Sequence, residues 1–156
     1  MNILKFIASI ALCYLVAFLG SVFTFSSIPT WYAQLNKPFF NPPNWVFAPV
    51  WTILYFLMAV SLYIIWNKNL ENKKQDKAIK IFIFQLTLNL LWSLVFFGLH
   101  QPLLGLITII ILWFSIFITI KYFYKLSKPS GYLLVPYILW VSFASVLNFA
   151  IVVVNK

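Results

Sequence analysis

Five stretches without an Asp, Glu, Lys, Arg or His follow one another along the chain, at residues 6–25, 45–66, 81–99, 103–120 and 131–154. A helix needs about 18 or more apolar residues to cross roughly 30 Å of hydrocarbon at about 1.5 Å per residue. Each stretch meets that length once its flanks are counted. The predicted spans cover residues 5–25, 45–66, 79–99, 103–124 and 131–154, with an outer loop over 26–44. They use up nearly all of the 156 residues, so the prediction is a single domain, 1–156. Its class is all-α: a polytopic membrane protein folded as a compact bundle of five transmembrane helices. A transmembrane barrel would need about eight or more strands of alternating polarity, whereas these runs are continuously apolar. The first run starts as a secretory signal peptide does, but its apolar core is longer and no small-x-small cleavage site follows, so it reads as a retained span.

Charge supplies the orientation. Only 8% of the residues are charged, as eleven lysines, Glu71 and Asp76, against about 25% in soluble domains. With five spans, Lys5 and the lysines at 68–80 and 121–128 share one side of the membrane, leaving Lys37 and Lys156 on the other. The positive-inside rule then puts the N-terminus in the cytoplasm and the C-terminus and the 26–44 loop outside. The expected setting is a bacterial cell membrane. Lysines gathered at membrane borders are not the interleaved basic surface of a nucleic-acid binder, so no nucleic acid is expected as a partner. Cys13 is the sole cysteine; it forms no intramolecular disulfide, and no Cys/His cluster offers a metal site.

Ionisable groups inside spans usually mark proton relays and ion-coupled transport, and these spans have none. The same absence removes a Ser-His-Asp constellation and paired glycosidase carboxylates. His100 sits at an outer border without a recognisable second ligand for haem. Uncharged polar residues remain. Gln85, Asn89 and Ser93 recur every fourth residue with Trp92 beside them, on one face of the third span. They either bond neighbouring helices together or form a polar cavity wall. Ser9, Cys13, Ala17 and Ser21 make a small-residue stripe suited to close helix packing. Trp140, Ala144 and Asn148 share a face of the fifth span, where Pro136 should kink the helix. Trp51, Tyr55 and Met58 share a face of the second. Trp45 and Trp66 suit an interfacial belt; Trp51 and Trp140 lie too deep for one, and fit either a flat aromatic-walled pocket or core ring packing.

The string WYAQLNKPFFNPPNWVFAPVWTILYFLMAVSLYIIW, residues 31–66, resembles the first loop and second helix of the translocator protein family. That family is also called the tryptophan-rich sensory protein or peripheral benzodiazepine receptor family. LNLLWSLVFFG, 88–98, is similar to its third helix, and LLVPYILWVSFASVLN, 133–148, to its fifth. The resemblance implies a five-helix bundle, often a homodimer, with a ligand cavity covered by the first loop. Its implied ligand is a porphyrin such as protoporphyrin IX or another flat hydrophobic molecule, with membrane lipid around it and no required cofactor. Carried over by motif position, the ligand-binding residues are Tyr32, Trp51, Asn89, Trp92, Trp140 and Ala144. Phe40, Ala48 and Ala59 depart from residues common in the family, and Phe149 stands where the cholesterol-recognition pattern wants tyrosine, which leaves little support for cholesterol.

Three functions are compatible with this reading: a tetrapyrrole receptor or sensor holding its ligand between Trp51 and Trp140, a light- and oxygen-dependent porphyrin-degrading enzyme, and a passive tetrapyrrole or lipid carrier. The lysine asymmetry makes its own prediction. A topology reporter fused after Lys156 is expected to give a non-cytoplasmic signal, and one inserted within residues 69–74 a cytoplasmic signal; the reverse pattern overturns the orientation.

Overall fold

The structure, a computed structural model, describes residues 2–156. Among them there is no strand, and five helical spans, Ile3–Tyr32, Asn44–Asn67, Asn72–Gly98, Pro102–Leu126 and Lys128–Val154, are long and apolar enough to cross a membrane. The first is α1 (Ile3–Ser27), begun by the Asn2 side chain, which accepts from the backbone N–H groups of Leu4 and Lys5. It continues through a π turn, Ile28–Tyr32. The second is a 3₁₀ turn, Asn44–Val46, running into α2 (Phe47–Asn67). The third, α3 (Asn72–Ser93), also ends in a π turn, Leu94–Gly98. The fourth is α4 (Pro102–Leu126). The fifth is broken into α5 (Lys128–Leu133) and α6 (Val135–Val154), as Pro136 led us to expect.

Two sequence expectations need correction. Residues 26–44 are not a long loop, because helix persists as far as Gln34 and only 35–43 lack it. Pro29 reads as a breaker, but it sits at the start of the π turn, whose wider winding absorbs the missing donor. The lysine-rich 67–80 connection is likewise mostly helix. Lys and Gln are good helix formers, Lys74 pairs with Glu71 at 3.1 Å, and the Gln75 amide donates to the carbonyls of Ile65, Trp66 and Lys68 at 3.0–3.1 Å. These carbonyls at the end of α2 also accept from Lys68 N–H, Lys5 Nζ and Leu70 N–H in turn, so the Gln75 amide reinforces a helix end that is already capped.

Around the bundle the spans run in the order second, first, third, fourth, fifth, and α2 against α5 closes the ring. Cys13, Met58, Phe82, Leu112, Tyr137 and Val141 fill the centre, all fully buried. Each end is tied across. At the lysine-rich end Lys5 Nζ donates to the Trp66 carbonyl at 2.8 Å and Lys68 Nζ to that of Leu126. At the other end Ser27 Oγ donates to the Phe97 carbonyl at 2.5 Å. There Asn155 and Asn36 also exchange two hydrogen bonds of 2.8 and 2.9 Å, fastening the loop to the last helix.

The ring closes because two elements come unusually near. Ser61 of α2 and Ser130 of α5 each donate a side-chain hydroxyl to the other's carbonyl at 2.8 Å, and Gly131 lets α5 lie against α4. A Cβ at 131 would stand 2.7 Å from Tyr124 Cβ and 2.8 Å from its Cα. Gly131→Ala is therefore expected to lower stability by about 1–3 kcal/mol, the range for overpacking, read as thermal unfolding in detergent. Gly20→Ala, which meets Ser93 Oγ at 3.3 Å, should cost less.

Candidate functional site

Between α1, α2 and α3, toward the end that carries the loop, lies a cavity of about 360 Å³. Small residues on α1, namely Ala17, Gly20, Ser21 and Thr24, leave the room for it. Trp51, Tyr55 and Phe47 of α2, Trp92 of α3 and Phe97 of the π turn that follows it supply flat walls. Tyr14 donates its hydroxyl to the Thr52 carbonyl at 3.0 Å, joining α1 to α2 along the lining. Phe18, Phe25, Ala48 and Thr52 are exposed on the outer flank. The cavity therefore opens sideways, between the first two helices, where hydrocarbon surrounds the bundle.

Trp51 is packed by rings on three helices. Its ring centroid lies 5.7 Å from Tyr55, 6.4 Å from Trp92 and 6.3 Å from Tyr137, distances typical of attractive aromatic pairs. Behind this wall the buried amide of Asn89 joins three helices: Tyr55 donates its hydroxyl to Oδ1 at 2.5 Å, and Nδ2 donates to the Tyr137 hydroxyl at 2.9 Å. Trp92 is oriented the same way, its indole N–H donating to Asn148 Oδ1 at 3.3 Å while Asn148 donates to the Pro102 carbonyl at 2.9 Å.

Of the six residues carried over from the sequence, Trp51 and Trp92 line the cavity and Asn89 touches it through Tyr55. Tyr32, Trp140 and Ala144 are not among its walls. Tyr32 is buried one ring further out, 5.8 Å from Phe97, with its hydroxyl donating to Asn41 Oδ1 at 2.6 Å. Trp140 lies behind Phe47, at 6.1 Å, and its buried indole N–H has no partner in the protein. Ala144 is buried on the same helix. Sequence reasoning missed the contribution of α1. Ala17 and Ser21 belong to the small-residue stripe assigned to packing, and only Ser9 and Cys13 of that stripe are fully buried. Phe47 and Tyr55, four residues before and after Trp51, were within reach of helical spacing. Among the described residues no cluster of His, Cys, Asp or Glu could hold a metal.

A five-span helical bundle with an aromatic slot opening to the bilayer defines an integral membrane protein built around an internal apolar site. The sequence profile of the TspO/MBR family matches residues 9–154, and the chain belongs to that family. It is 52% identical to the tryptophan-rich protein TspO of Archaeoglobus fulgidus over 99% of both chains. It is 44% identical to the protein of the same name from Chlorobaculum tepidum, over 99% of this chain and 98% of that one. With the translocator protein of Bos taurus the identity is 34%, covering 85% of this chain and 79% of the other.

The Asn89 bridge can be tested by thermodynamic coupling. Asn89→Leu strands two buried phenol hydroxyls and is expected to cost about 1–2 kcal/mol of stability. Combined with Tyr55→Phe it should cost less than the sum of the single changes, measured by denaturant unfolding in mixed micelles.

Proposed function

We propose that this protein is a membrane receptor or sensor for a tetrapyrrole, with the porphyrin ring seated against Trp51 in the slot between α1, α2 and α3. The observation that carries the reading is the slot itself: flat aromatic walls, no charged side chain in its lining, and a volume of about 360 Å³, within the roughly 300–1,000 Å³ usual for small-molecule sites. Stacking on indole and phenol rings favours a planar, polarisable molecule over a branched one. A macrocycle wider than the slot extends through its open flank, and its carboxylates turn toward Asn44 at the loop end, where water begins. Trp140 then forms a second aromatic layer behind Phe47, contacting the ligand if Phe47 turns aside.

The lining offers hydroxyls, indoles and phenyl rings, with no general acid or base suited to neutral pH, so the slot is built for holding rather than for conventional catalysis. Mixing purified protein with protoporphyrin IX, dark and illuminated, separates the readings. Binding alone predicts tryptophan quenching and a shifted porphyrin band that bleaches under light no faster than in a detergent control. Protein-dependent bleaching to a defined product assigns photochemical degradation instead, and absence of quenching and shift overturns the tetrapyrrole.

The position of the ligand has its own test. Ala17→Leu fills the slot and is expected to weaken porphyrin binding about tenfold, as overpacking of about 1–3 kcal/mol implies. Ala144→Leu, outside the slot, should weaken it less. If the order is reversed, the ligand wall is the Trp140 face of α6.

A further inference from the structure

A second recess lies on the opposite flank, a groove of about 460 Å³ between α3 and α4. Ile81, Phe84, Ile111, Phe114 and Ile118 line it, and Lys80 stands at one end. Four of these apolar side chains are about half exposed or more, Phe84 58%, Ile111 49%, Phe114 58% and Ile118 55%. No part of the chain fills it.

Two side-chain stripes meet there. On α3, Lys73, Lys77, Lys80 and Phe84 share a face at helical spacing; on α4, so do Ile111, Phe114, Ile118, Lys121 and Lys125. Both stripes change from apolar to basic toward the lysine-rich end of the bundle. Lys77 Nζ crosses from α3 to lie 5.4 Å over the Tyr122 ring of α4, which brings the two basic stretches together, and Lys121 Nζ lies 5.2 Å over Phe117 of its own helix. Their charge is not neutralised within the protein. The one ion pair among the described residues is Lys74 with Glu71, and Asp76, a turn before Lys80, does not pair with it.

The geometry points to a binding site for an anionic glycerophospholipid, its phosphate against Lys80 and Lys121 and one acyl chain lying in the α3–α4 groove. From Ile118 to Ile111 the groove follows α4 for about 10 Å at about 1.5 Å per residue, toward the bilayer centre, as an acyl chain does. Basic pockets between helices at one membrane face favour lipid phosphates. A second copy docked here in parallel two-fold fashion would press two lysine clusters together, so charge selects the lipid over the copy. This site is independent of the aromatic slot.

The test is native mass spectrometry of the purified full chain with phosphatidylglycerol or phosphatidylcholine added, the fold of each variant being checked by circular dichroism. The parent is expected to retain phosphatidylglycerol about tenfold more than phosphatidylcholine. Lys80→Gln should remove most of that preference. Ile111→Trp, which fills the groove without changing charge, should reduce retention, and Lys74→Gln should leave it unchanged. Equal retention of the two lipids overturns the site. So does an equal loss for Lys74→Gln and Lys80→Gln, which would mean diffuse surface attraction. A change in the monomer–dimer ratio for Ile111→Trp with lipid retention intact would make the groove an interface between copies. Lys80→Gln is an exposed change and keeps the test independent of packing.

Discussion

Leaving an amide unpaired in hydrocarbon is costly, and Asn89 finds its partners on two other helices at once, whereas Gln85, one turn before it and equally buried, has neither amide atom paired within the protein. The bonds of Asn89 to Tyr55 and Tyr137 join the second, third and fifth spans at a level where lipid offers no substitute donor or acceptor. Those two tyrosines are also neighbours of Trp51, so the orientation of the slot wall depends on the polar bridge behind it. The paired Ser61 and Ser130 hydroxyls serve the same end nearer the lysine-rich face. Hydrophobic transfer could not select these positions, since lipid tails are as apolar as the side chains; the polar contacts and close packing at small residues such as Gly131 set the register.

The spans were legible in the sequence because the bilayer imposes a length and forbids charge. Their number, their antiparallel succession and the break near Pro136 follow from that requirement and from proline's missing donor. Ends were harder. Pro29 reads as a stop, and the wide turn that accommodates it leaves no mark in composition; the helical start of α3 was hidden because lysine-rich stretches serve equally as helix and as solvated connection. For the candidate site, the face shared by Trp51, Tyr55 and Met58 and the polar repeat of Gln85, Asn89 and Ser93 beside Trp92 pointed to two residues that line the cavity, and motif position named the same two. Helical spacing gives a face and not its neighbour, so it could not tell that Trp51 turns toward α1 while Trp140 packs behind Phe47. The α1 wall was missed for a related reason: Ala17 and Ser21 line the slot by being small, and smallness equally signals close packing.

The loop end is held by contacts that differ in kind from those at the lysine-rich end. Asn36 and Asn155 exchange hydrogen bonds, Tyr32 bonds Asn41, and Trp31 stacks on His100 at 4.6 Å. His100 has a positive φ of 56°, a conformation that turns the chain sharply between the third and fourth spans. Its Nε2 lies 3.2 Å from Ser27 Oγ. The short loop is thereby fixed to the end of the first span through Asn41 and to the end of the fifth through Asn36, while Trp31 and Ser27 hold the first span to the turn between the third and fourth.

The sideways mouth of the slot changes what an affinity means for this molecule. For the tetrapyrrole proposed above, entry between Phe18 and Thr52 would be entry from the acyl-chain region, so its occupancy would follow its mole fraction in the lipid rather than its concentration in water. Diluting the same total ligand into more membrane empties the site even when the aqueous volume is constant. A strongly partitioning ligand will therefore give apparent dissociation constants that scale with the lipid-to-protein ratio, and comparisons between preparations have meaning only at matched ratios.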